Sequence, residues 1–116
     1  MKKRKIYLPT TKAREYLKEI GFYNDITEEK TKKVFLKKLK EYLLGQISSR
    51  FFSALANEIL YGCFLDKGKS IENLALSNAL EDASELEYQK SRVLGLTNVE
   101  DGLRSFFKNT KSLMGK

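Results

Sequence analysis

The chain has 116 residues, with 22 Lys and Arg against 15 Asp and Glu, one cysteine, one proline and no histidine. That length holds a single hydrophobic core, so one helical domain over residues 1–116 is expected, and 41% hydrophobic with 32% charged residues is a globular balance. Lacking histidine, the chain lacks the commonest general base and metal ligand, and one cysteine builds neither a zinc site nor an internal disulfide.

Residues 1–9 read as a basic arm. Lys2, Lys3, Arg4 and Lys5 resemble the start of a signal peptide, but the apolar Ile6, Tyr7 and Leu8 stop at Pro9. A helix over residues 11–20 follows, with Ala13, Tyr16, Leu17 and Ile20 on one face and Gly21 at its left-handed end. Thr27 then offers an N-cap, with Glu28 and Glu29 in the first turn. The next stripe is Phe35, Leu36, Leu39, Tyr42, Leu43 and Ile47, with Lys30, Lys33, Lys37, Lys38 and Lys40 opposite.

Near Gly45 the apolar phase shifts by about half a turn. Either the helix breaks over 45–49 or one long helix buries opposite faces at its two ends, and the run Gly45, Ser48, Ser49 favours a break. Residues 50–65 are apolar almost all round, and only Arg50, Ser53 and Asn57 make a thin polar strip. Such a helix is central to its domain or shared with a partner. Ser70 is the expected cap of a helix over 71–94, ended by Gly95 and Leu96, and Thr97-Asn98-Val99-Glu100 has the form of a capping box for a last helix. That helix presents Val99, Leu103, Phe106, Phe107 and Leu113, and the tail after about residue 110 is expected to fray. The fold class is all-α, an irregular bundle of four to five helices around a central apolar one.

Gly68-Lys69-Ser70 matches the end of a phosphate-binding loop, but Cys63 stands where that motif needs its first glycine, and the preceding segment reads as helix. What survives is a weaker phosphate site made by Lys67, Lys69 and the free N–H groups after Ser70. Glu81, Asp82, Glu85 and Glu87 read as a solvated acidic face or a docking surface. Cys63 reads as an inert buried thiol. No catalytic residue, metal site or cofactor is expected, and the chain does not read as an enzyme.

Charge asymmetry carries the functional reading. Residues 1–44 hold 13 basic against 6 acidic residues, and residues 71–95 hold 2 against 5. A field so polarised concentrates polyanions at one surface. The expected function is a non-catalytic, nucleic-acid-associated accessory protein or small helical subunit. It contacts phosphate through Lys2, Lys3, Arg4, Lys5, Lys30, Lys33, Lys37 and Lys40, with Tyr7 and Tyr23 as stacking rings. Seventeen of the basic residues are lysine, which meets phosphate as a point charge, so little sequence discrimination is expected. The alternative is a protein-interaction module (an adaptor, inhibitor or oligomeric scaffold) in which Phe51, Phe52, Tyr61, Phe64 and Leu65 face a partner or form a homodimer core. No apolar run nears the roughly 20 residues of a membrane span, and the lone thiol suits a reducing, cytoplasmic setting.

Overall fold

Residues 52–60 are all buried, and the rest of the molecule is arranged around them. The computed structural model describes residues 11–89 and 93–114, and the side chains of 11–87 and 97–110. It is an all-α bundle: α1 (Thr11–Glu19), α2 (Glu28–Leu43), α3 (Ser49–Asn57), α4 (Leu74–Ser84), the short α5 (Leu86–Gln89) and α6 (Val93–Met114). A 3₁₀ turn at Phe22–Asn24 joins α1 to α2, and α3 runs on as a π-wound segment, Glu58–Phe64. Helices α1, α2, α4 and α5 all pack on α3, while α6 closes the bundle against α2, α4 and α5.

The break between α2 and α3 falls where the apolar phase shifts. Gly45 takes a left-handed φ of 78°, a conformation that costs other residues free energy. Ser48 then caps α3 by accepting a hydrogen bond from the Phe51 N–H at 3.1 Å. Thr27 caps α2 in the same way through the Lys30 N–H. The turn folds the two stripes onto each other. The Phe52 ring lies 5.4 Å from Phe35 and 5.2 Å from Tyr42, both stacked, and Phe35 also meets Phe106 of α6 at 5.7 Å. Each such ring pair contributes about 1 kcal/mol beyond its buried area.

Four local expectations are corrected. The chain does not enter α4 at Ser70. Ile71 is buried ahead of the helix, and Asn73, with an extended backbone, is the cap, accepting from the Leu76 N–H at 3.1 Å. The expected long helix over 71–94 is instead interrupted after Ser84, where α5 begins a new course. Neither the stop at Gly95 nor the capping box at Thr97 operates, because α6 is already helical from Val93 and runs through both. Glu100, the supposed box carboxylate, accepts the Tyr42 hydroxyl at 2.9 Å instead. A capping box satisfies N–H groups only at a helix start, and here the start lies four residues upstream.

The fourth correction concerns polarity. Ser53 and Asn57, the supposed solvent strip of α3, point inward: the Ser53 hydroxyl and the Asn57 amide both donate to the Ser84 carbonyl, at 3.0 and 3.4 Å. That carbonyl ends α4, where helix carbonyls lack partners of their own. Lys38 is likewise buried rather than on the lysine face. Its Nζ sits 4.3 Å over the Tyr16 ring and donates to Glu41 at 2.7 Å, so a cation–π contact and an ion pair replace its water.

Candidate nucleic-acid interface

Helix α2 buries Thr31, Phe35, Lys38 and Leu39, which fixes the face it turns outward. At 100° and 1.5 Å per residue, Lys30, Lys33, Lys37 and Lys40 fall within about 80° of arc along about 15 Å of axis. Lys33, Lys37 and Lys40 are exposed, and among the described residues none of them is in an ion pair. Lys30 is half-buried and reaches the Gly21 carbonyl at 3.4 Å, leaving donor capacity for a further acceptor.

On the same count Glu29 and Glu41 flank this row, while Glu28 lies more than 100° from each of its lysines, on the side of the buried residues. Glu41 accepts from Lys38. Glu28 crosses to the start of α4, where its two oxygens accept the N–H groups of Glu72 and Asn73 at 2.6 and 3.2 Å. Only Glu29 remains exposed at the rim. The Glu28 contact also fills the weaker phosphate site expected beside Lys67 and Lys69: a carboxylate of this chain already holds those N–H groups.

Lys2, Lys3, Arg4, Lys5 and Tyr7 lie outside the described residues. Tyr23 does not stand out as a stacking ring. It is half-buried, edge-on to Phe22 at 6.0 Å, with its hydroxyl donating to Glu58 at 2.9 Å. Of the proposed interface residues, Phe52 and Phe64 are buried within this chain, Phe51 and Tyr61 are half-buried, and Leu65 is exposed. Phe51 helps line a groove of about 690 Å³ between the starts of α1 and α3, with Ala13, Ile47 and Ala54 forming its apolar part.

The site that sequence reasoning missed is Glu58. It is 7% exposed at the start of the π-wound segment, accepting Arg14 Nε at 3.1 Å as well as the Tyr23 hydroxyl. Burial first, and then the Glu58 carboxylate, push the Tyr23 phenol well above its ordinary range. A Cβ on Gly62 would stand 2.9–3.0 Å from the Glu58 carboxyl atoms, so the bare glycine makes room for the group. A lone acid in an apolar helix was the available signal, and its partners, 35 and 44 residues away in sequence, were not legible. Beside it lies a cleft of about 420 Å³ lined by Thr11, Arg14, Glu15 and Lys18. With both oxygens accepting hydrogen bonds, Glu58 is arranged to hold α1 and the 3₁₀ turn onto the central helix.

Cys63 is fully buried, and desolvation, followed by the nearby Glu58 charge, raises its thiol to about 11, which suppresses the nucleophilic thiolate. In the acidic group, Glu81 and Glu85 are exposed and Glu87 accepts from the Ser49 hydroxyl at 2.7 Å. Asp82 is half-buried opposite Gly102, and burial, then Glu85 and Glu81, lift its carboxyl to about 6. Among the described residues no group of three or more His, Cys, Asp or Glu could hold a metal ion, and no helix is long and apolar enough to cross a membrane. Comparison with protein-family models, with curated proteins and with solved structures finds no match to this chain.

Proposed function

We propose that the protein is a non-catalytic, nucleic-acid-associated accessory subunit that binds phosphate backbone through the outer face of α2. One observation carries this reading: Lys30, Lys33, Lys37 and Lys40 share the outer face of α2, and of the two acids that flank them Glu41 is tied to Lys38, leaving Glu29. Four lysines against the one exposed carboxylate of Glu29 leave the face net positive, and phosphate binding would release counterions from the nucleic acid. The absence of histidine, the suppressed thiolate at Cys63 and the doubly engaged Glu58 support a binding role over a catalytic one. Fluorescence anisotropy of nuclease-treated protein on a labelled mixed-sequence duplex, titrated across salt, tests it. With three to four phosphates neutralised, log K should fall against log salt with a slope of about −3. No binding at 20 mM salt would overturn the reading.

A second reading, a protein-interaction module, is supported by the apolar groove beside Phe51 and by exposed Leu65, 45% accessible. With Phe52 and Phe64 inside this chain's own core, that surface is narrower than the sequence suggests. Light scattering across concentration tests it, and a strictly monomeric chain whose state Phe51→Glu does not alter would remove the homodimer version.

A further inference from the structure

We infer that the α2 row takes double-stranded rather than single-stranded nucleic acid and is indifferent to its sequence, an inference that rests on the phosphate-binding reading above. Proteins that hold single strands pair a cationic groove with rings on which bases stack. Beside α2 the rings among the described residues are occupied. Tyr16 lies under Lys38 and edge-on to Phe51, Tyr23 donates to Glu58, and Tyr42 is stacked on Phe52 with its hydroxyl on Glu100. Phe35 is fully buried. The helix also carries no Arg, Asn or Gln, whose planar groups pair with base edges, and its lysines meet an anion as point charges. What remains is a row of lysines spread over about 80° of the outer face. A duplex presents one phosphate per roughly 1.7 Å of axis against roughly 3.4 Å for one strand, so the denser polyanion gains more from such a row.

The test is competition anisotropy at 50 mM salt. A labelled mixed-sequence duplex is displaced by unlabelled duplexes of permuted sequence and by oligo-dT of equal length. The duplexes should compete within about twofold of each other, and oligo-dT about tenfold more weakly. Oligo-dT competing equally or better, or one duplex sequence standing out by tenfold, would overturn the inference while leaving phosphate binding intact. Failure of the labelled duplex to bind at all would overturn the parent reading instead.

Discussion

Two polar stripes interrupt the apolar pattern of this chain, one on α2 and one on α3, and they have opposite fates. On α2, Lys33, Lys37 and Lys40 face water with no ion pair among the described residues. On α3 and its π-wound continuation, Ser53, Asn57 and Glu58 face inward, hydrogen-bonded to the end of α4, to Arg14 and to Tyr23. Polarity alone does not decide which way a helix face turns. A serine or one carboxylate can be buried where partners meet its hydrogen-bonding groups, and Asn57 is buried with its amide nitrogen bonded and its Oδ1 left without a partner among the described residues. A row of lysines has no such way in, because each ammonium needs its own acceptors. Lys38 makes the same point within α2: supplied with Glu41 and the Tyr16 ring, it is buried.

The comparison can be broken first at its apolar hinge. Phe52→Ala removes the ring that joins Phe35 and Tyr42 and should cost about 3–5 kcal/mol of unfolding free energy in denaturant titration. A loss below 1 kcal/mol would mean α2 and α3 do not share one core. Gly62→Ala comes next. The added methyl would meet the Glu58 carboxyl at 2.9–3.0 Å and displace it from Arg14 or Tyr23. A net loss of about 2 kcal/mol is expected even though alanine is the better helix former, and a gain in stability would show that Glu58 is not held as described.

A smaller effect, opposite in sign, belongs to Asp82. Its carboxyl titrates near 6 in the fold and near 4 in the unfolded chain. Between those values the folded state binds more protons, so stability falls as pH rises from about 4 to about 6. Asp82→Asn removes that loss. At pH 7 the variant should be more stable by about 1 kcal/mol, allowing for solvent screening of a half-exposed group, and the advantage should vanish below pH 4. Parallel denaturation curves at pH 4 and pH 7 check this, and an equal difference at both would contradict it. Smallest of all is the effect on folding of the triple variant Lys33→Gln, Lys37→Gln, Lys40→Gln, expected within about 0.5 kcal/mol because these exposed groups contribute nothing to packing and glutamine is as good a helix former.

Much of this was legible in the residues, for reasons that are local. The stripe of Phe35, Leu39 and Tyr42, the cap at Thr27 and the break at Gly45 all follow from 3.6-residue periodicity and from backbone conformations that few residues adopt. What escaped reading depends on contacts distant in sequence. Thr97-Asn98-Val99-Glu100 is a sound capping box locally, yet Tyr42, 58 residues away from Glu100, holds that carboxylate while α6 runs through. Asn73 replaces Ser70 as a cap because Glu28 pins the approach to α4 from another helix. The lysine row was legible as composition and periodicity. That Glu41 is tied to a buried Lys38 and Glu28 to the α4 entry was not, since this depends on where those partners lie in space.

The most direct test of the lysine row as a phosphate-binding face joins both halves of the comparison. Duplex binding by the wild-type chain and by the triple charge reversal at 33, 37 and 40 should be measured by anisotropy at 50 mM salt, with each protein's folding checked by circular dichroism. The variant should keep its fold and lose affinity by at least about 100-fold, with a flatter salt dependence. Unchanged affinity in a folded variant would contradict the account and reduce the row to a solvated surface.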